Sequence, residues 1–243
     1  MSAIGIDTCI VPQNMGRRPN KHIPYIFTHE ELLRFFEATD SLEPSPLSPN
    51  KELVVPVMFR LMYCCGLRPQ EVRNIRLEEV FLHEAYIFIK SSKSRKDRIV
   101  ALNDDMISLL ATYIALMSIR QPHSTYLFER PEGGPYHKRW LSLCAVELAE
   151  KAGLLPHGKT TFRTYDLRHN FATAVITRWH MAHEDVDSKL VYLSEYMGHV
   201  NFDDTTYYIT LIPEMYDACP QVDTAFLGKA LPLFEDEEDF WNE

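Results

Sequence analysis

The chain has 243 residues, of which 46% are hydrophobic and 24% charged, a balance typical of a globular protein with a hydrophobic core. Its formal net charge of −9 argues mildly against a nucleic-acid ligand, although local basic patches, more than the total charge, determine where phosphates bind. No apolar run reaches the roughly 18 residues that suggest a membrane span, and the N-terminus lacks the pattern of a secretory signal.

The composition along the chain predicts three segments. Residues 1–22 are interpreted as an N-terminal segment or the remnant of an interdomain linker, because they combine helix breakers with a basic run. Residues 23–235 carry the periodic apolar patterns and are expected to form one domain. Residues 236–243 are strongly acidic and are predicted to form a disordered tail.

The cysteines and histidines predict neither a disulfide framework nor a metal site. The five cysteines are odd in number and irregular in spacing, which indicates a reducing compartment such as the cytoplasm; they are Cys9, Cys64, Cys65, Cys144 and Cys219. His180 and His183 form an i,i+3 pair, but a metal ion there would need further ligands that the scattered cysteines do not supply.

The first predicted elements are helices joined by a tight junction. Thr28 and Glu31 have the spacing of a capping box, so a helix is expected from about residue 29 to residue 38. A second helix is predicted by the apolar residues that recur at helical spacing between residues 54 and 65. Gly66 is a natural stop for that helix, and a proline at position 69 suits the first turn of the next.

A β-hairpin is predicted next, because two short runs rich in aromatic and β-branched residues, 86–89 and 98–102, flank an entirely polar, basic segment. Further amphipathic helices are expected over residues 104–119, 138–151, 167–180 and 187–197, with a last short helix over 205–211. Asp187 and Gly198 are interpreted as the cap and the stop of the helix over 187–197. The predicted fold class is therefore mainly α with a small antiparallel β-sheet (α+β).

Four motifs occur in order along the chain and are interpreted together. Each is weak alone, since a Gly-Leu-Arg-Pro turn or a basic hairpin has ordinary structural explanations. The motifs are Gly66–Val72 (GLRPQEV), the hairpin segment Ser92–Val100, Tyr165–Thr173 (YDLRHNFAT), and Met197-Gly198-His199 followed nine residues after the histidine by Tyr208. Together the motifs resemble the tyrosine recombinase, or phage integrase, family, and the resemblance implies the catalytic-domain fold of that family over most of the chain.

The resemblance also implies a role for each candidate residue. Arg68 and Arg168 would clamp the scissile phosphate, because guanidinium groups match phosphate geometry and stabilise its growing charge. Tyr208 would be the nucleophile that forms a 3′-phosphotyrosine link, and Lys93 would protonate the departing 5′ oxygen. His199 would hydrogen-bond a phosphate oxygen. The remaining candidates are Glu71 and His169 as supporting residues behind the clamp, and Lys90, Arg95, Lys96 and Arg98 as DNA contacts.

Three assignments have alternatives. The family has a histidine where this chain has Tyr165, and a phenol with a pKa of about 10 is a poor general base. Tyr165 therefore either substitutes as a hydrogen-bonding group or leaves the proton of Tyr208 to another acceptor. Tyr207 competes with Tyr208 as the nucleophile, and the nine-residue spacing favours Tyr208. Lys90 competes with Lys93 as the general acid.

The expected activity is site-specific DNA recombination, or integration, without a metal, ATP or any other cofactor. Double-stranded DNA is the expected partner, with a homotetramer on paired DNA sites and a monomer in its absence. The N-terminal domain with which this family clasps DNA is expected to be absent here. Two alternatives remain: a related type IB topoisomerase-like strand transferase, and a non-catalytic DNA-binding regulator on a decayed recombinase fold.

Overall fold

The computed structural model of the chain describes residues 23–90, 97–154, 162–199, 201–206 and 208. The helices within this part are α1 (His29–Asp40), α2 (Lys51–Cys64), α3 (Pro69–Asn74), α4 (Asp104–Arg120), α5 (Lys138–Lys151), α6 (Asp166–Met181), α7 (Val186–Met197) and α8 (Asp203–Thr206). A 3-10 turn at Leu77–Glu79 precedes the strands β1 (Val80–Phe81), β2 (Tyr86–Ile89) and β3 (Arg98–Ala101). The prediction of a mainly helical fold with a small antiparallel sheet is confirmed.

Helix α2 is the centre of the core. Its residues from Val54 to Phe59 are almost completely buried, as expected of a helix that is apolar around most of its circumference. It contacts α1, α3, α4 and α6. The capping box predicted for α1 is present, since Thr28 Oγ1 accepts from Glu31 N at 3.2 Å and Glu31 Oε2 accepts from Thr28 N at 2.9 Å.

The junction between α2 and α3 has the backbone that its residues predict. Helix α2 ends at Cys64, Gly66 takes a left-handed conformation with φ of 59°, and Pro69 opens α3 with Arg68 as the N-cap. A β-carbon on Gly66 would lie 2.4 Å from Cδ1 of the buried Phe171. Glycine is therefore required here both by the backbone and by the close approach of α6.

We expect Gly66→Ala to lower the free energy of unfolding by about 2–5 kcal/mol. Overpacking a buried site costs about 1–3 kcal/mol, and the left-handed backbone adds about 1–2 kcal/mol. Urea denaturation would measure the loss. Gly153→Ala is the matched control, because Gly153 has φ of 65° but a β-carbon added there would have no atom within 4 Å. Equal losses for the two variants would contradict the contact with Phe171.

The sheet is antiparallel in the order β1-β2-β3, with Ile87 opposite Val100 and Ile89 opposite Arg98. The hairpin prediction is confirmed, whereas β1 was not predicted, because two residues are too short to show an alternating pattern. Side chains alternate between the two faces of a strand. Arg98 therefore shares the inward face of β3 with the fully buried Val100.

The last helices differ from their predictions at the ends. The N-cap of α7 is Asp185, whose side chain accepts from Ser188 N, so the prediction of Asp187 was wrong. Both aspartates suit a cap, and periodicity does not choose between positions two residues apart. Gly198 ends α7 with φ of 64°, as predicted. Helix α8 begins at Asp203, earlier than the predicted residue 205, and residues 207 and 209–211 lie outside the described part.

The three predicted segments stay predictions, because residues 1–22 and 236–243 lie outside the described part and the segment 23–235 extends beyond it after residue 208. Among the described residues no helix is long and apolar enough to cross a membrane. Within the same ranges, no group of three or more histidine, cysteine or acidic side chains is arranged to hold a metal ion.

Candidate active site

Arg68 joins the start of α3 to the end of α7. Its guanidinium donates from Nη1 to Glu71 Oε1 at 2.7 Å and from Nη2 to the carbonyl oxygen of Gly198 at 2.5 Å. The side chain keeps about a fifth of its surface exposed. Burial alone would lower the pKa of Arg68, but Glu71 and the Tyr165 hydroxyl raise it overall, so the group is charged.

Glu71 lies one turn after Arg68 and contacts a second arginine as well. Its two oxygens accept a forked pair of hydrogen bonds from Arg98 Nη1 and Nη2, at 2.9 and 2.8 Å. Burial alone would raise the pKa of Glu71, but the bonds from Arg98 and Arg68 lower it to about 2. The carboxylate is therefore ionised at neutral pH and connects β3 with the start of α3.

Arg168 is completely buried in α6 and holds the two loops that carry the other candidates. Its Nη1 donates to the carbonyl of Gly66, two residues before Arg68, and its Nη2 to the carbonyl of Met197, two residues before His199. Its Nε is buried and has no hydrogen-bond partner among the described residues. Burial and the nearby Arg68 lower the pKa of Arg168 to about 10, which leaves it charged at neutral pH.

His199 follows the left-handed Gly198 and is half-buried beside α8. Its Nδ1 lies 2.7 Å from Oγ1 of Thr205, a fully buried residue. Burial, followed by the positive charges of Arg168 and Arg68, lowers the pKa of His199 to about 3. The imidazole is therefore neutral in the unliganded site and available as a hydrogen-bonding group.

We expect the ring proton signals of His199 to stay constant between about pH 5 and pH 8 in an NMR titration, where an ordinary histidine titrates. Because the pKa is lower in the folded than in the unfolded chain, this group stabilises the fold fully above about pH 6.5. That stability is lost progressively as the pH falls below this value. His199→Gln should identify the signal and remove this part of the pH dependence. A midpoint near pH 6.5 would contradict the expectation.

Tyr208 is 2% exposed and packs against two imidazoles. Its ring centroid lies 6.1 Å from that of His199 and 5.5 Å from that of His169. Burial raises the pKa of Tyr208 above its usual value, although Arg168 and Arg68 act in the opposite direction. The phenol is therefore protonated at neutral pH, and its use as a nucleophile would require a proton acceptor.

Tyr165 lies immediately before α6, on the more open side of the same cluster. It is 38% exposed, and its ring packs edge-on against His169 with centroids 5.1 Å apart. His169 is thus in ring contact with both Tyr165 and Tyr208. Four of the six predicted catalytic residues, Arg68, Arg168, His199 and Tyr208, converge on one site from four segments, and Tyr165 borders it.

The predicted DNA-binding residues lie in three different situations. Lys90, at the end of β2, forms an ion pair with Glu79 at 2.9 Å and has a well-exposed side chain. Arg98 points into the site and is bound to Glu71, with only 9% of its side chain exposed. The remaining predicted residues of the hairpin, Lys93, Arg95 and Lys96, lie outside the described part, as does Tyr207. The competing assignments that involve Lys93 and Tyr207 therefore stay open.

Sequence reasoning missed one residue of the site, Thr205, and did not foresee the ion pair of Arg98 with Glu71. Thr205 is six residues from His199, a spacing that carries no periodic signal, and its contact depends on the turn into α8. The inward orientation of Arg98 could have been predicted from the sequence. Side chains alternate along a strand, so Arg98 shares the buried face of β3 with the apolar residue at position 100.

Comparison with known proteins gives a consistent family. The sequence profile of the phage integrase family matches residues 26–214. A putative integrase/recombinase, y4rB, of Sinorhizobium fredii is 30% identical over 210 residues, covering 82% of this chain and 65% of that protein. The tyrosine recombinase XerA of Pyrococcus horikoshii is 24% identical over 77% of this chain and 57% of its own. The chain thus spans less than two thirds of the length of these relatives.

Solved structures share the fold. A crystal structure of XerA recombinase superposes with a TM-score of 0.62 and 22% identity, covering 86% of this chain and 68% of that chain. A structure of the XerH site-specific recombinase in a pre-cleavage complex with its difH substrate gives the same TM-score, over 77% of this chain and 50% of that chain. At this level of identity the likeness concerns the arrangement of the helices and the sheet.

Proposed function

Because the chain belongs to the phage integrase family, we propose that it is a site-specific recombinase that cleaves and rejoins DNA strands through a covalent 3′-phosphotyrosine. Neither a metal ion nor ATP would take part. The observation that carries this proposal is the convergence of Arg68, Arg168, His199 and Tyr208, which sequence motifs far apart in the chain predict as one catalytic set.

The two arginines supply the charge that a phosphodiester requires. Arg68, Arg98 and Arg168 contribute three positive charges and Glu71 one negative charge, so these four groups leave a net charge of +2. The Nε of Arg168 is a buried donor without a partner in the described part, and buried donors are normally satisfied. A phosphate between Arg68 and Arg168 would use this donor and would lower the charge that repels a proton from His199.

The chemical step would exchange one phosphodiester for another. The Tyr208 oxygen would attack the phosphorus, the bond from phosphorus to the 5′ oxygen would break, and a proton would be supplied to that oxygen as it leaves. Lys93 is our assignment for this general acid. Attack of a free 5′ hydroxyl on the phosphotyrosine would reverse the step and rejoin the strand, with no external energy source.

Attack by Tyr208 requires a group that accepts its phenolic proton, because burial keeps the phenol protonated. Two imidazoles, His199 and His169, contact its ring, whereas Tyr165 stands where the family has a histidine. We propose that Tyr165 acts as a hydrogen-bonding group toward Arg68, and that a neutral imidazole accepts the proton. With a DNA phosphate bound, which lowers the positive charge around the imidazoles, the pH–rate profile of cleavage would follow a histidine and not a second phenol.

The proposed partner is double-stranded DNA. The active form would be a homotetramer on paired sites, so that two strands are exchanged, and the protein would be a monomer without DNA. Association with the nucleoid in the cytoplasm follows from that partner. Residues Arg95 and Lys96 of the hairpin and the exposed Lys90 are the proposed phosphate contacts around the catalytic site.

A capture experiment tests the proposal even though the DNA site is unidentified. The full chain would be incubated with sheared genomic DNA of its source in the presence of EDTA and without ATP, and protein-linked fragments would be precipitated with SDS and potassium. Sequencing the linked ends would locate the site. A 3′ protein linkage with a free 5′ hydroxyl, which a kinase labels directly, is the expected product.

The outcomes separate the candidates. DNA binding in a gel-shift assay without any covalent product would overturn the proposal and favour the non-catalytic regulator, which the tyrosine at position 165 also favours. If the adduct forms, a plasmid with two captured sites distinguishes the remaining pair. Recombinant circles indicate a recombinase, whereas relaxation alone indicates a topoisomerase-like strand transferase.

A further inference from the structure

The carboxylate of Glu71 is saturated by two arginines. Oε1 accepts from Nη1 of Arg68 and Nη1 of Arg98, while Oε2 accepts from the backbone N of Arg68 and Nη2 of Arg98. A carboxylate offers about four lone-pair sites. All four are therefore occupied, and Arg98, not Arg68, has the forked pair.

The sharing of the Glu71 carboxylate between two arginines determines which donors of Arg68 can reach a bound phosphate. Arg68 contributes only one guanidinium N–H to Glu71, and a second goes to the carbonyl of Gly198. A carboxylate and a guanidinium of this geometry would otherwise form a forked pair with each other. Such a pair would neutralise Arg68 and would turn two of its donors away from a bound phosphate.

Burial and close contacts hold Arg98 in the position from which it forms the forked pair with Glu71. It is the first residue of β3, its side chain is 9% exposed, and it lies against Gly198. A β-carbon on Gly198 would lie 3.2 Å from Nη1 of Arg98 and 3.5 Å from Nη1 of Arg68. The two guanidinium groups are thus packed side by side between Glu71 and the end of α7.

We propose that Arg98 is a positioning residue that occupies Glu71 with a forked ion pair and thereby leaves the remaining guanidinium donors of Arg68 available to bind phosphate. This assignment replaces the DNA contact expected from the sequence. It rests on the proposed function, since the ligand of the clamp is taken to be a DNA phosphate. Because β3 also carries the end of the hairpin, Arg98 links that hairpin to the clamp.

The test is a double-mutant cycle read out by the binding of inorganic phosphate, which needs no DNA site. The affinity would be measured by NMR from the shift of the His199 ring signals in the wild type, Arg98→Gln, Glu71→Gln and the double variant. Thermal unfolding would verify that each variant is folded. If Arg98→Gln fails to fold, Arg98→Lys retains the charge without the fork and takes its place in the cycle.

The proposal predicts that Glu71→Gln has opposite effects in the two backgrounds. Arg98→Gln should weaken phosphate binding about tenfold, the worth of one charge-assisted hydrogen bond, because Glu71 then captures Arg68. Glu71→Gln should weaken binding in the wild type, where it releases Arg68. In the Arg98→Gln background it should strengthen binding, because it removes the competing carboxylate.

An effect of Glu71→Gln with the same sign in both backgrounds would overturn the proposal and would make Arg98 a direct phosphate contact. Absence of any phosphate response in the wild type would overturn it as well. Arg60→Gln is the matched control, since Arg60 forms a forked pair with Asp40 at 2.8 and 2.7 Å between α1 and α2. The two proposals can fail separately. If the DNA-capture experiment gives no adduct but Glu71→Gln still has opposite effects in the two backgrounds, the recombinase proposal is rejected and the role of Arg98 at the phosphate site stands.

Discussion

Replacement of Tyr208 by phenylalanine is expected to abolish the covalent protein–DNA product. The variant keeps the ring that packs between His169 and His199 but has no oxygen to attack phosphorus. Loss of a catalytic nucleophile typically lowers a rate by about a million-fold, so no adduct should be visible on a denaturing gel. The free energy of unfolding should change by only about 1 kcal/mol, the net worth of one hydroxyl hydrogen bond.

Tyr207→Phe is the control for this prediction, because it removes the same atom from the neighbouring position. We expect it to form the adduct at a rate comparable with that of the wild type. The two variants would be compared on a nicked DNA substrate that carries the captured site, since a nick lets the cleaved fragment diffuse away and traps the link. An adduct that survives in Tyr208→Phe and disappears in Tyr207→Phe would reverse the assignment.

The elements that sequence patterns predicted well are those that depend on backbone constraints. Gly66 and Pro69 fix the junction that carries Arg68, because glycine tolerates a positive φ and proline suits the first turn of a helix. The hairpin followed from alternation and the helices from apolar periodicity. These patterns depend on neighbouring residues only, so they can be recognised in the sequence before any tertiary contact is known.

The contacts that organise the site are tertiary, and the sequence carries little trace of them. Arg168 binds carbonyl groups of residues 66 and 197, which every residue possesses, so no side-chain pattern marks them. The same holds for the bond from Arg68 to the carbonyl of Gly198. The sequence predicts Arg98 as a DNA contact because it ends a basic run, whereas its position on β3 places its side chain against Glu71.

Replacement of Arg168 by methionine is expected to lower both the stability of the protein and the rate of adduct formation. Arg168→Met fills a similar volume but leaves the carbonyls of Gly66 and Met197 without their donor. Each unsatisfied buried acceptor costs about 1–3 kcal/mol, and relief of the repulsion from Arg68 offsets part of the sum. We therefore expect the free energy of unfolding to fall by about 2 kcal/mol and adduct formation to fall by at least about 10²–10³-fold.

Arg68→Met should affect adduct formation but hardly affect stability. Arg68 is partly exposed, and its main partner Glu71 keeps the forked pair with Arg98. Its stability should change by less than about 1 kcal/mol, the range of partly exposed ion pairs, while adduct formation should be lost to a similar extent. Urea denaturation and the nicked-substrate assay would be run on both variants. If Arg168→Met were as stable as the wild type, the role of Arg168 in joining the loops that carry Arg68 and His199 would be refuted.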